Sequence, residues 1–93
     1  MIRKYTFEAQ IIQSEGLDAA YIIFPYDIKK EFGRGRVSVQ ASFDGITYKG
    51  SIVNMGVKDE VGNICYVLGI TKEIRRKIGK TFGDMVHVEI TAL

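Results

Sequence analysis

Apolar and polar residues alternate with period two along several stretches of the chain, which predicts strands with one buried and one exposed face. The clearest stretches are residues 5–11, 37–43, 64–70 and 86–90. Asp44-Gly45 follows the second stretch at once and predicts a tight hairpin, because both residues accept positive φ. The uniformly apolar stretch Ala19 to Phe24 predicts a further, more fully buried strand.

Two segments break the alternation and predict short helices. In residues 25–33, Pro25 suits the first helical position and Gly33 suits the C-terminal end. Residues 71–79 have the same design, with Thr71 as the N-cap. Each segment carries apolar residues four apart, as expected of a helix that packs one face on a core.

The two helical segments superpose at a constant offset, which indicates an internal duplication. Ile28 falls on Ile74 and Gly33 on Gly79, and both differences, 74 minus 28 and 79 minus 33, equal 46. A strand, a short helix, a glycine-bearing turn and another strand are thus repeated. We predict an all-β fold with two short helices, arranged as a small closed β-barrel with pseudo-twofold symmetry.

Composition fits a single domain over residues 1–93. Hydrophobic residues make up 46% and charged residues 26%, the balance of a globular protein. The formal charge of +2 is well below that of a dedicated nucleic-acid binder. The N-terminal residues lack the apolar stretch of an export signal, and residues 19–24 are too short to cross a bilayer. Cys65 is the one cysteine, so we predict a cytoplasmic protein without internal disulfides.

The second half resembles a known DNA-binding group. Residues 70–79 with residues 83–88 are similar to the swapped-hairpin element of the AbrB and MazE group, which shows I-P-x-x-I-R, a glycine, and then G-D-x-V-x-V. Thr71 stands where that pattern has its proline. In that group two chains each donate one element to a shared barrel, and several members bind DNA. Two such elements in one chain imply a barrel closed within the monomer.

The whole chain, over residues 5–91, resembles domain-of-unknown-function family nineteen-oh-five more closely. The resemblance is carried by Phe24-Pro25 with Ile28, the run from Gly35 to Val39, Asp44-Gly45 with Ser51, and the segment from Ile74-Arg75 to Gly83-Asp84. It implies a double-split barrel. Some relatives carry a YdeI or OmpD-associated domain after this one, which implies an accessory role. The tryptophans common in that family are absent here, and Tyr21 and Tyr48 are the expected replacements.

Two residue sets are candidate binding sites. Residues 54–63 form the longest stretch without periodicity, which favours a mobile hairpin loop; the alternative is that this loop rims a small cleft for a ligand or peptide. The aromatic residues expected beside this loop are Tyr21, Tyr26, Tyr48 and Tyr66. Basic residues of the two repeats form a second set, a candidate phosphate-backbone surface: Lys29, Lys30, Arg34, Arg36, Arg75, Arg76 and Lys77.

Catalytic signals are weak. His87 is the single histidine, expected on an exposed strand face, and no spacing selects Asp44, Asp84 or Glu89 as its partner. Cys65 lacks the helix N-terminus or cationic neighbour that activates a thiol, so we interpret it as core filler. Residues 33–36, Gly-Arg-Gly-Arg, end a helix instead of opening one, which favours a C-cap and turn over a phosphate loop.

Three functional hypotheses follow, in order of preference. The first is a non-enzymatic accessory barrel that binds a small ligand, peptide or partner domain, as a monomer or weak homodimer, without cofactor or metal. The second is an AbrB-like DNA-binding protein that uses the basic set. The third is an enzyme with an unrecognised site, which the single histidine and lack of a paired-carboxylate motif disfavour.

Overall fold

The computed structural model describes residues 4–15 and 18–93, which form strands and two short helices. In chain order the elements are β1 (Lys4–Gln10), β2 (Ile12–Gln13), β3 (Ala20–Phe24), α1 (Ile28–Phe32), β4 (Arg36–Phe43), β5 (Ile46–Lys58), β6 (Ile64–Ile70), α2 (Lys72–Ile78) and β7 (Met85–Ala92). The predicted all-β class with two short helices is therefore confirmed.

The strands form one antiparallel sheet in the order β1-β7-β4-β5-β6-β3-β2, which curls into an open half-barrel. The predicted closed double-split barrel is not shown. β1 pairs with β7, whereas the ladder between β2 and β3 contains two residue pairs, and no ladder joins β1 to β3 within the described residues. The two ends of the strand order are nevertheless neighbours in sequence, because Ile11 alone separates β1 from β2.

The repeated strand, helix and strand units are arranged as a twofold axis would arrange them. β3 pairs antiparallel with β6, and β4 with β7. Ile22 pairs with Leu68, whose numbers differ by 68 − 22 = 46, the offset seen in the sequence. Ala41 pairs with Ile90, a difference of 90 − 41 = 49, because the turn before β7 is longer by three residues. Both helices occupy equivalent places in their units.

Capping residues set the ends of both helices. Asp27 is the N-cap of α1, so the helix begins later than predicted and Pro25 lies outside it. Thr71 caps α2, as predicted, by accepting the amide of Ile74 at 3.2 Å. Gly33 and Gly79 end the two helices with the same φ of 69°, a left-handed conformation that glycine adopts without a Cβ clash.

The inner face of the sheet is filled by apolar side chains and both helices cover it. The core consists of Ala9, Ile11, Ala20, Ile22, Phe24, Ile28, Val37, Val39, Ala41, Phe43, Ile52, Tyr66, Leu68, Ile70, Ile74, Val86, Val88 and Ile90. In the strands, these residues occupy alternate positions, as the sequence pattern predicts. The outer face and the ends of the sheet are therefore the parts that this core leaves accessible.

Strand β5 runs further than the sequence predicted. Residues 54–63 were expected to form a loop, but β5 continues through Lys58, and residues 59–63 make the turn to β6. A register shift lies between Asn54 and Lys58, where the Asn54 side chain accepts the amide of Gly56 at 2.9 Å. This irregularity breaks the alternation of buried and exposed residues, so the period-two pattern in the sequence does not reveal the second part of the strand.

No helix in the described part of the chain is long and apolar enough to cross a membrane.

Candidate functional site

The outer face of β3, β5 and β6 carries an open groove of about 510 Å³ with a mainly apolar lining. We call it the outer groove, and its lining residues are Ser14, Glu15, Ala20, Tyr21, Val53, Met55, Val57, Val67 and Gly69. Tyr21, Val53 and Val67 stand at strand positions whose neighbours in sequence point into the core. The sheet is therefore apolar on both faces here, although only its inner face belongs to the core.

Val67 lies at the bottom of this apolar face. It is 3% exposed although it does not belong to the core cluster. Its cross-strand neighbours are Ile23 on β3 and Val53 on β5, so a row of apolar side chains crosses three strands on the outer face. Such a row lowers the free energy of any apolar group that covers it, because that contact removes apolar surface from water.

Gly69 keeps the groove open next to Tyr21, its cross-strand partner. A Cβ added at Gly69 would meet just one atom within 4 Å, the Ala20 carbonyl oxygen at 4.0 Å. The position is thus free of crowding, and its φ is not left-handed. Glycine inside a strand often marks a close approach by another group. Here it leaves room beside the tyrosine ring.

The β5–β6 hairpin extends the apolar surface past the groove. Met55 on the groove rim is 70% exposed, and Val61 in the hairpin turn is 81% exposed. Ser14 and Glu15 supply the polar end of the lining. Exposed apolar side chains that adjoin an apolar groove are typical of an interaction surface.

The four predicted tyrosines do not share one site. Tyr21 lines the outer groove, whereas Tyr26 and Tyr66 line a second cleft of about 570 Å³ between the start of α1 and the β5–β6 hairpin. Tyr48 packs near Phe43, with ring centroids 6.4 Å apart, and faces the end of the barrel near α2. The prediction that these four tyrosines line one site is therefore wrong.

Polar groups of the second cleft are already used by the fold. The Asp27 carboxylate caps α1, and the Asp59 carboxylate accepts the amides of Val61 and Asn63 within the hairpin turn. Tyr26 stacks in an aromatic group with Tyr5 at 5.3 Å between ring centroids. Both carboxylates of the cleft therefore have structural roles in the described part of the chain.

The basic residues are divided between two places. Because β3 and β6 are antiparallel, α1 and α2 follow opposite ends of their shared ladder. The exposed residues on and after α1 are Lys29, Lys30, Arg34 and Arg36, and those on α2 are Arg76 and Lys77. Arg75 is the exception, since it is buried at 6% exposure. DNA binding by these residues stays a prediction, but they do not form one continuous patch.

His87 is exposed on β7, as predicted, and it has a partner that the sequence did not single out. Its Nδ1 lies 2.5 Å from the Glu8 carboxylate, directly opposite on β1. Its backbone amide donates to the Asp44 side chain at 2.8 Å. Cys65 is half-buried at the second cleft. No group of three metal-ligating side chains occurs among the described residues.

Ion pairs lower the pKa of three surface carboxyl groups. Lys80 Nζ lies 2.6 Å from Asp44, and this hydrogen bond is the main cause that lowers the pKa of Asp44. Lys72 likewise lowers the pKa of Asp18, and Lys4 that of Glu89, each through a 3.0 Å contact. These carboxyl groups are anions at neutral pH, so they are poor proton donors there.

Sequence reasoning missed most of the outer groove. Tyr21 was singled out, whereas Val53, Val67 and Gly69 were not. A signal was present, because Tyr66-Val67-Leu68 is an unbroken apolar run inside an otherwise alternating strand. Such a run indicates a strand buried on both faces.

One comparison with known proteins gave a match. A family model described as Domain of unknown function (DUF1905) matches residues 7–90. No curated protein matches the chain significantly.

Proposed function

The chain belongs to the family described as Domain of unknown function (DUF1905), and we propose that it is a non-enzymatic binding module that holds an apolar segment of a partner protein in the outer groove. The observation that carries this proposal is the mainly apolar lining of the outer groove, which lies on the sheet face away from the core cluster. The sequence places apolar side chains on a sheet face that the fold does not need to cover.

The shape of the surface favours a protein partner over a small molecule. The rim of the outer groove continues into exposed apolar surface at Met55, which a small molecule held inside the groove would leave uncovered. Val61 adds a further exposed apolar side chain on the same hairpin. A partner segment can cover both the groove and this rim, which fits an accessory domain.

The chemistry near the groove supports binding and not catalysis. Glu15 is the one ionisable carboxyl group in its lining, beside the Tyr21 phenol. His87 pairs with Glu8 on the far strands β7 and β1, and Cys65 belongs to the second cleft. His87 and Glu8 lie within hydrogen-bond reach of each other, but neither lines the groove, so this pair does not supply a general acid and base there.

We further propose that the half-barrel closes as a double-split barrel through residues 4–13. This segment pairs with β7 through β1 and with β3 through β2. β5 behaves in the same way, because its first part pairs with β4 and its later part with β6. A twofold arrangement of the duplicated units requires two such segments, each of which pairs with one strand along its first part and with another strand along its later part.

Peptide display tests the proposed function. Random peptides would be selected on the wild-type domain after counter-selection on Gly69→Leu, which adds an apolar side chain to the groove lining at a position where a Cβ meets no atom closer than 4.0 Å. We expect apolar-rich peptides whose affinity, measured by fluorescence anisotropy, falls at least about tenfold with Gly69→Leu.

Ser38→Leu is the matched control. It adds the same side chain to an exposed position of β4, away from the outer groove, and we expect it to leave peptide affinity within about twofold. Peptides that bind Gly69→Leu as tightly as the wild type would place recognition elsewhere. A selection that enriches nothing over the counter-selected variant would also refute the proposed site.

A further inference from the structure

Arg75 on α2 is the one buried charged residue among the described residues, at 6% exposure. Its guanidinium carbon lies 4.9 Å from the centre of the Phe82 ring, so a cation–π contact fixes the plane of the guanidinium. Burying a cation is costly unless its hydrogen-bonding groups are satisfied. The hydrogen-bond partners of Arg75 therefore indicate whether its role is structural or whether it binds a ligand.

Those partners satisfy the guanidinium poorly. Nη1 is 3.5 Å from the Asp18 carboxylate and Nη2 is 3.4 Å from the Asp18 carbonyl oxygen. Both distances exceed the 2.7–2.9 Å or so that is usual for a charge-assisted bond. Nε is buried without any partner. The N–H groups of this buried guanidinium can therefore donate stronger hydrogen bonds to an anion than they now make.

The Asp18 carboxylate occupies the position next to the Arg75 guanidinium, but it is held there weakly. Its carboxylate is held at 3.0 Å by Lys72, and its side chain is 57% exposed. Cavities of about 250 Å³ and about 430 Å³ adjoin it, and Asp18, Lys72 and Arg75 line both of them. A competing anion can therefore reach the same cations from solvent.

The charges around Asp18 do not balance. The larger cavity is lined by the cations Lys72, Arg75, Arg76 and Lys80 and by one carboxylate, that of Asp18. Lys80 is engaged with Asp44 at 2.6 Å, which leaves three cations against one anion. An excess of two positive charges favours a ligand with two negative charges.

We propose that Arg75, Lys72 and Arg76 form a binding site for the dianionic phosphate group of a small phosphate monoester, which displaces the Asp18 carboxylate. Two phosphate oxygens match the guanidinium fork of Arg75, and a third oxygen takes the contact that Lys72 now makes with Asp18. The smaller cavity adjoins the outer groove through Ala20 and Gly69. Arg75, Lys72 and Arg76 do not line that groove, so the loss of phosphate binding in their variants would not refute partner binding there.

Calorimetric titration with phenyl phosphate at constant ionic strength tests this site. We expect millimolar binding to the wild type at pH 8, where the monoester is a dianion, and binding about tenfold tighter for Asp18→Asn, which removes the competing charge. Arg75→Lys keeps the charge but loses the fork, and we expect binding about tenfold weaker. Dimethyl phosphate, a monoanion, should bind at least about tenfold more weakly than phenyl phosphate.

Lys77→Gln is the matched control, because Lys77 lies on the same helix, pairs with Glu73 at 3.3 Å and lines neither cavity. It should change phenyl phosphate affinity by less than about twofold. The proposal is overturned if neither the wild type nor Asp18→Asn binds phenyl phosphate at about 20 mM, or if dimethyl phosphate binds equally well. The Asp18 side chain is 57% exposed, so we expect Asp18→Asn to fold. The result for Asp18→Asn therefore tests the site even if Arg75→Lys does not fold.

Discussion

Individual side chains give the two faces of the sheet their different roles. Val67 and Gly69 point outward from β6, between the core residues Tyr66, Leu68 and Ile70. Alternation in the sequence correctly assigned the inward set. It did not assign the outward residues, because the apolar run around Val67 defines an outer apolar face only once its cross-strand neighbours, Ile23 and Val53, are known.

Charge pairing at the hairpin between β4 and β5 also acts through single residues, and it makes stability depend on pH. Asp44 takes a positive φ of 49° in the turn and pairs with Lys80. The pKa of Asp44 is lowered in the folded protein, chiefly by the Lys80 hydrogen bond. Its stabilising effect is thus present above the ordinary pKa of 3.8 and is lost as pH falls through the lower folded-state pKa.

Asp44→Asn should lower the free energy of unfolding by about 0.5 kcal/mol at pH 7, because asparagine keeps the turn and the bond to the His87 amide but loses the ion pair. Urea unfolding across pH measures this. The wild type and the variant should converge at a pH below the lowered folded-state pKa of Asp44, where its carboxyl group is protonated. A difference that persists unchanged at that pH would show that the loss comes from the turn and not from the charge.

At the scale of elements, the sequence correctly predicted a helix cap and a tight turn, but it did not predict the full length of the irregular strand β5. Thr71 caps α2, and the turn at Asp44-Gly45 forms, because both depend on the conformational preferences of a few adjacent residues. The continuation of β5 through Lys58 was missed. Its second part pairs with β6 across a register shift between Asn54 and Lys58, which breaks the alternation of faces that the local pattern would show.

The helix ends provide a test of the duplicated elements. Gly33→Ala and Gly79→Ala should each lower the free energy of unfolding by about 1 kcal/mol, and by similar amounts, because both glycines have φ of 69° and open space around the missing Cβ. Gly35→Ala is the control and should be nearly neutral, since its φ is not left-handed. Chemical denaturation of the three variants measures this. Clearly unequal losses at Gly33 and Gly79 would contradict equivalent helix ends.

At the scale of the whole molecule, the offset of 46 residues predicted which segments correspond, and the sheet pairs them. It could not predict how the two ends of the sheet are placed, because that depends on Ile11 and its neighbours outside the repeated units. Ile11 is buried at 1% exposure between β1 and β2. Its amide donates to the Asp84 carbonyl on the β7 side at 2.9 Å, while the Ser14 amide donates to Ala19 on the β3 side at 2.8 Å.

The central claim is that residues 4–13 join both ends of the sheet around a filled core, which leaves recognition to the outer face. Native-state hydrogen exchange of the Ile11 and Ser14 amides tests it most directly. In a closed barrel both amides should open with free energies within about 1 kcal/mol of those of β4, because neither lies on a free edge. Exchange of either amide at a free energy several kcal/mol below that of β4 would show a frayed edge and contradict closure.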